Sequence, residues 1–435
     1  MPDTHRSIEA VWRIESARLI AALARRVRDV GRAEELAQDA LVAALEQWPT
    51  TGIPDNPGAW LMATAKHRAI DQWRHGSLTE RKHQQIGYQL ENEQAAFALE
   101  DELEDDVGDD MLRLMFTACH PVLACEAQVA LTLRLLGGLS TPEIARAFLV
   151  PESTMAQRIV RAKRTLAQAQ VPFEIPQGEQ LSERLSSVLQ VIYLVFNEGY
   201  AATAGEDWAR PELCEDALRL GRILAELASK EPEVHGLVAL MEIQASRLRA
   251  RMGAAGTPVL LLDQDRARWD QLLIHRGLAA LERAARLNGA RPPAFARFAI
   301  APGPYVLQAE IAACHARALT AAATDWARIA ALYAALRVLI PSPVIELNRA
   351  VAVAMSLGPA AGLEIVDQLV GEPSLQDYHL LPTVRGDLLQ KLGRYAEALV
   401  ELERAAKLTS NAREQQLLRV RMDDIARRGR DPRPA

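Results

Sequence analysis

One predicted helix near the middle of the chain carries the residue types that bind DNA phosphates. It begins after Pro151 and holds Gln157, Arg158, Arg161, Lys163 and Arg164 within two turns. A helix can lie in the major groove of DNA while arginine and lysine side chains neutralise the phosphates on either side. The chemistry that this spacing predicts is therefore non-covalent DNA binding.

A shorter predicted helix precedes the basic helix, and a proline-marked turn separates the two. Ser140, Pro142 and Glu143 supply a hydroxyl cap, a proline in the first turn and an acid near the positive helix end. Pro151 restricts the residue before it and ends this first helix. Helix spacing turns Met155, Ile159, Ala162 and Leu166 inward. The pair predicts a helix-turn-helix, and the alternative is an ordinary helical hairpin with a solvated basic face.

A second segment, residues 59–75, interleaves aromatic and basic side chains. Single-stranded nucleic acid binds such segments, because bases stack on aromatic rings and phosphates meet positive charge. The alternative is that both tryptophans belong to the core, since tryptophan is mostly buried. The candidate residues are Trp60, Lys66, His67, Arg68, Trp73 and Arg74.

Residue types that could catalyse a reaction or bind a metal are present but poorly placed. Glu310 and His315 are five residues apart, which puts them on different faces of a helix. Cys119 lies in an apolar predicted helix, as a core cysteine does. We therefore predict no catalytic residue, no metal and no cofactor, and the chain is not expected to be an enzyme. Two polar segments, NEGY at 197–200 and DQDR at 263–266, are expected to stabilise turns or form an intramolecular contact surface.

The composition of the 435 residues favours stacked helices. Hydrophobic residues make up 49% and aromatic residues 5%, and the formal net charge is −6. This profile predicts an all-α fold. No uncharged apolar run reaches the length of a membrane span, and the N-terminal residues lack the apolar stretch of a signal peptide. We therefore expect a cytoplasmic protein without membrane contact.

An acidic segment divides the N-terminal part of the chain. Residues 91–110 contain ten acids and neither lysine nor arginine, as a solvated linker does. Upstream, residues 8–27 form an amphipathic helix with Ile14 on its apolar side, and a second helix runs from Arg32 to a predicted end at Pro49. The expected domains are residues 1–85, a linker over 86–110, the helix-turn-helix over 111–172, and a helical extension over 173–435.

Two of these segments together resemble a known family. The sequences RAEELAQDALVAALEQW and NPGAWLMATAKHRAIDQWRH are similar to region 2 of the sigma-70 family, in its short extracytoplasmic-function form. The helix-turn-helix resembles region 4 of the same family. The resemblance covers about residues 8–75 and 112–170. It implies two small helical domains that bind core RNA polymerase and promoter DNA.

The resemblance also implies roles for single residues. The acidic face that docks on polymerase corresponds to Glu34, Glu35, Gln38 and Asp39. The helix that recognises and opens the −10 element corresponds to Trp60 through Arg74, with His67 where the family commonly has asparagine. The recognition helix for the −35 element would place one group of side chains at base edges and another at phosphates. These residues are Ser153, Thr154, Gln157 and Arg158 for bases, and Arg161, Lys163 and Arg164 for phosphates.

The extension over 173–435 has small residues at offsets used by tetratricopeptide repeats near its C-terminus. Glycine and alanine there let two antiparallel helices approach closely. A similar pattern occurs 35 residues earlier, where Leu357 and Gly358 precede AAGLEIVDQL. The alternative is a generic helical domain. The repeat-packing residues would be Gly386, Gly393, Tyr395, Ala398 and Ala405.

The complete arrangement resembles sigma factors with a C-terminal tetratricopeptide-like extension. This resemblance implies that the extension controls activity, either by binding a protein or peptide ligand or by contacting the sigma domains. A second hypothesis is a helix-turn-helix regulator that works without polymerase and carries a repeat-based protein-interaction domain. The region 2 segment discriminates between them, because a simple regulator does not need a polymerase-docking face.

Overall fold

A computed structural model describes residues 2–80, 107–148, 150–200, 210–251, 253, 259–289, 302–409 and 412–430. Most of the predicted acidic linker, residues 86–106, lies outside these ranges. The chain forms two compact units, Met1–Leu194 and Val195–Ala435. All regular elements in the described ranges are helices, so the predicted all-α fold is confirmed. None of these helices is long and apolar enough to cross a membrane.

The first unit contains two groups of helices and the first part of a longer helix. The helices are α1 (Pro2–Val27), α2 (Val30–Thr51), α3 (Pro57–Glu80), α4 (Val107–Ala118), α5 (Cys125–Leu135), α6 (Thr141–Ala147), α7 (Glu152–Gln168) and α8 (Glu179–Tyr200). The first part of α8 packs in this unit, since Arg184 donates to the carbonyl of Phe116 and Ser187 to that of Cys119.

Two details of the N-terminal helices differ from the prediction. Pro49 does not end α2, which continues to Thr51, because a missing backbone N–H costs little in the last turn, where the amide of Gly52 still bonds to the carbonyl of Trp48. Ile14 is 65% exposed rather than buried. The polar side chain of Ser16 is buried on α1, next to the buried Ala17.

The helix-turn-helix forms as the sequence predicts. The Ser140 amide and hydroxyl both donate to the Glu143 carboxylate, at 2.7 and 2.6 Å, and the Glu143 amide reaches back to the Ser140 hydroxyl at 3.4 Å. This reciprocal capping box fixes the start of α6. The four inward positions of α7 are all buried, which leaves the opposite face for its polar side chains. They are Met155, Ile159, Ala162 and Leu166.

In its described ranges the second unit consists of helices and short 3₁₀ turns. After the end of α8 come α9 (Pro211–Leu227), α10 (Pro232–Ala245), α11 (Gln271–Gly289), α12 (Pro304–Arg317), α13 (Trp326–Leu339), α14 (Pro343–Leu357), α15 (Pro359–Leu369), α16 (Leu380–Lys391), α17 (Tyr395–Leu408) and α18 (Ala412–Arg430). Short 3₁₀ turns lie between α10 and α11, between α12 and α13, and between α15 and α16.

The last part of this unit contains two helical hairpins, α14–α15 and α16–α17, which share one core. Gly358 and Gly393, 35 residues apart, form their turns at φ of 102° and 75°, a backbone region that favours glycine. Gly386 faces α17, because a Cβ there would lie 3.0 Å from Leu402 Cγ and 3.2 Å from the Ala398 carbonyl oxygen. Ala398 and Ala405 are fully buried, and Tyr395 packs against the same core.

Candidate nucleic-acid interface

The polar face of α7 presents the side chains that the sequence assigns to DNA. Those at its start are exposed, apart from a half-buried Arg158, and Arg161 and Arg164 are also exposed. A groove of about 360 Å³ runs beside them, between α7 and the turn before α5. The predicted DNA-binding residues that line it are Thr154, Gln157, Arg158 and Arg161.

A smaller pocket lies between α2 and α3. Its volume is about 350 Å³, and Trp60, His67 and Arg68 line it together with Gln47. The Trp60 ring packs edge-to-face on the buried Trp48, with 5.2 Å between the ring centroids. The pocket thus combines an aromatic wall with basic and amide groups, as a pocket for an unstacked base does. Lys66 is half-buried beside it, and the side chains of Trp73 and Arg74 lie outside the described residues.

The acidic face of α2 divides into exposed and buried members. Glu35 is exposed, and Gln38 and Asp39 are half-buried. Glu34 is only 2% exposed, because side chains of α5 and α7 cover it. Arg134 Nε lies 2.6 Å from Glu34 Oε1, and the Lys163 amine pairs with the other oxygen. Arg134 also donates to the carbonyl of Leu139, which anchors it at the turn before α6.

Two further ion pairs join the same two groups of helices. Arg13 of α1 reaches Glu143 of α6 at 3.0 Å, and Arg25 of α1 reaches Asp110 of α4 at 3.5 Å. Burial opposes ionisation of Glu143, but hydrogen bonds from Ser140 and the charge of Arg13 outweigh it and lower the pKa of the carboxyl. Glu143 therefore caps α6 and binds α1 as a carboxylate.

Sequence reasoning missed the partners of these acids. Arg134 is the single cation in the apolar run VALTLRLL, and a lone cation in such a helix needs a buried partner. That signal could have identified Arg134 as an ion-pair residue. It could not have named Glu34, which is 100 residues away along the chain.

The polar segments of the extension have structural partners. Asp265 caps a 3₁₀ turn by accepting from the amide of Ala267, and Arg266 donates to the carbonyls of His315 and Ala318. Burial and two nearby arginines lower the pKa of His315 to about 4. Cys119 is 1% exposed, as predicted for a core cysteine, and burial raises the pKa of its thiol to about 12. No cluster of metal-binding side chains occurs within the described ranges.

Three segments match known families. Residues 14–79 match sigma-70 region 2, and residues 113–166 match sigma-70 region 4. Residues 184–285 match a family of unknown function, DUF6596. The first two matches coincide with the two groups of helices that carry the candidate interface.

Two relatives extend the comparison. The chain is 44% identical over 409 residues to an uncharacterized protein of Rhizobium meliloti, covering 94% of this chain and 93% of the relative. It is 26% identical over 167 residues to the "Probable ECF RNA polymerase sigma factor SigI" of Mycobacterium tuberculosis, covering 38% of this chain and 57% of the relative. No solved structure matches.

Together the region 2 and region 4 matches and the distant SigI relative support an extracytoplasmic-function-type sigma-70 factor. The chain belongs to the same family as the full-length Rhizobium meliloti relative. The sigma regions account for its N-terminal part only, and DUF6596 accounts for the start of the extension.

Proposed function

We propose that this chain is a sigma factor that binds core RNA polymerase in the cytoplasm and directs initiation at specific promoters. The observation that carries the proposal is the presence, in one chain, of region 2 with an aromatic pocket and region 4 with an exposed recognition helix. A protein that only represses or activates would need the second but not the first.

Each surface has a role in this proposal. Glu34, Glu35, Gln38 and Asp39 dock on polymerase. The pocket of Trp60, His67 and Arg68 takes an unstacked −10 base, and Lys66, Trp73 and Arg74 hold the displaced strand. On α7, one group reads −35 bases and the other meets phosphates. The first group is Ser153, Thr154, Gln157 and Arg158, and the second is Arg161, Lys163 and Arg164.

Run-off transcription with purified core polymerase tests this function. DNA fragments bound by the tagged protein in cells provide the templates. We expect specific transcripts that depend on the protein, and co-purification of the protein with core polymerase. If the protein binds DNA but neither binds polymerase nor supports a transcript, the alternative of a polymerase-independent helix-turn-helix regulator takes its place.

We further propose that promoter recognition requires regions 2 and 4 to separate. The ion pairs described above bury Glu34 and occupy Lys163, each of which has a role in initiation. A carboxylate that is 2% exposed is not accessible to polymerase. Opening exposes it together with its two cations, so the closed arrangement competes with polymerase for the same carboxylate.

Control by the C-terminal extension is a separate proposal. Two hairpins with matching turn glycines support a tetratricopeptide-like end that presents a surface to a peptide, a protein or the sigma regions. Transcription by the full chain is compared with transcription by residues 1–194. Activity only after truncation shows inhibition, loss of activity shows a requirement, and equal activity refutes control.

A further inference from the structure

A cleft of about 1030 Å³ lies between regions 2 and 4. One wall comes from the end of α1 and the start of α2, and the other comes from α4, the end of α7 and the segment after it. This volume is at the upper end of the range for small-molecule sites. The basic residues that line the cleft are Arg25, Arg28, Arg113 and Lys163.

Three of the four cleft cations already pair with an acid. Arg25 and Arg113 both pair with Asp110, and Lys163 shares Glu34 with Arg134. The lining acids are Asp29, which caps α2 by accepting from the Arg32 amide, and the exposed Glu174. Arg28 is exposed, and no side chain in the described ranges bonds to its guanidinium. Arg28 is thus a cation at the cleft available to a ligand.

The backbone around the cleft carries an independent signal. Among the described residues, Arg28 and Gln170 are the two non-glycine residues with positive φ, at 52° and 47°. Both line this cleft. Each follows the end of a helix, α1 or α7, where glycine normally takes the left-handed conformation. Side chains kept at a conformational cost are concentrated at ligand sites.

The cleft also has apolar walls, formed by Val30, Leu166, Val171 and Phe173. Guanidinium and ammonium groups bind phosphate oxygens through charge-assisted hydrogen bonds, and an aromatic ring stacks on a base. We propose that this cleft binds a nucleotide that carries two or more phosphates. Arg28 contacts the phosphates, and the apolar wall with Phe173 receives the base.

A ligand in this cleft would affect the separation of regions 2 and 4. This effect rests on the proposed sigma function. Residues from both regions form the cleft, so it exists only while the regions are closed. A ligand that binds one of two arrangements shifts the population toward it. The nucleotide therefore favours the closed arrangement and lowers polymerase binding.

Isothermal titration of the full chain at about 0.15 M salt tests the site, where unspecific charge effects are screened. GTP is the probe. Pyrophosphate, which supplies only the phosphates, and guanosine, which supplies only the base and sugar, are the controls. We expect saturable GTP binding, with both partial ligands weaker. Arg28→Ala should weaken GTP binding about tenfold, as the loss of a charged hydrogen bond does. Arg32→Ala, an equal charge change one turn along α2 outside the cleft, should leave it within about twofold.

Several outcomes overturn the proposal. They are the absence of saturable GTP binding, equal losses for Arg28→Ala and Arg32→Ala, and binding of guanosine or pyrophosphate as tight as that of GTP. Arg28→Gly provides a second variant, since glycine accepts the positive φ and keeps the fold while removing the cation. The titration needs no polymerase, so GTP binding without transcription would refute the sigma function alone, and transcription without GTP binding would refute the site alone.

Discussion

At the scale of single residues, the ion pairs of Glu34 are expected to contribute strongly to the stability of the first unit. Its carboxylate is nearly fully buried between Arg134 and Lys163. We expect Glu34→Gln to cost about 3–5 kcal/mol of unfolding free energy, because two cations lose their buried partner. Glu35→Gln, on the exposed neighbour, should change it by less than about 0.5 kcal/mol. Urea unfolding measures both, and similar losses would contradict the buried ion-pair network.

The lowered pKa of His315 predicts that the stability of the second unit depends on pH. Its folded pKa of about 4 lies below its ordinary value of 6.5. The unfolded chain therefore binds a proton that the folded chain does not between these values, and stability is lost as pH falls from 6.5 to 4. The loss amounts to about 3 kcal/mol. Unfolding of the wild type and of His315→Gln is compared at pH 7 and pH 4.5.

The difference in stability loss between wild type and His315→Gln separates the effect of His315 from that of the carboxylates, which titrate in the same pH range. The His315→Gln variant should lose less stability on acidification. His275→Gln, at an exposed position, should follow the wild type. A parallel pH profile for His315→Gln and wild type would show that His315 is not held neutral.

At the scale of elements, α7 has two kinds of polar position. Arg158 lines the groove near its start, whereas Arg164 is exposed farther along. Arg158→Ala should relax sequence preference within the −35 element at a cost of about 1–3 kcal/mol. Arg164→Ala should weaken all promoters alike and reduce the salt slope by about one. Binding of holoenzyme to a panel of −35 variants distinguishes these outcomes, and identical profiles for the two variants would contradict the assignment.

The hairpin α16–α17 depends on the close approach of its helices at Gly386. Gly386→Val places a branched side chain against Leu402 and Ala398, and should cost about 1–3 kcal/mol of stability through overpacking. Gly371→Ala is the control, since a Cβ there meets nothing within 4 Å. Chemical denaturation monitors both. Little or no change for Gly386→Val would mean that the helices are not packed as closely as described.

At the scale of the whole molecule, the closed arrangement of regions 2 and 4 can be fixed covalently. A Cβ on Gly31 would lie 3.7 Å from Lys163 Cβ, which is within the range of a disulfide. The double variant Gly31→Cys/Lys163→Cys should form this disulfide under oxidising conditions and lose transcription. Reduction with dithiothreitol should restore transcription to the level of the single variant Lys163→Cys. Full activity of the cross-linked protein would show that initiation does not require the regions to separate.

Much of the fold could be predicted from local sequence. The capping box at Ser140 and Glu143 and the inward face of α7 formed as predicted, because caps and helix periodicity depend on residues within one or two turns. The errors were also local. Pro49 near a helix end is tolerated, and a single apolar residue such as Ile14 can point outward. The candidate DNA-binding residues on α7 and α3 followed from charge and aromatic spacing in the same way, and their roles stay predictions.

The sequence by itself determined the all-α fold, the order of regions 2 and 4, and the candidate side chains for nucleic-acid binding. Only the tertiary structure decided which of those side chains are accessible. Glu34 meets Arg134 across 100 residues, and Arg13 meets Glu143 across 130. Helix signals are carried by neighbours in the chain, whereas ion pairs between distant helices depend on how those helices pack. For that reason the ion pair between Glu34 and Lys163 emerged only in three dimensions.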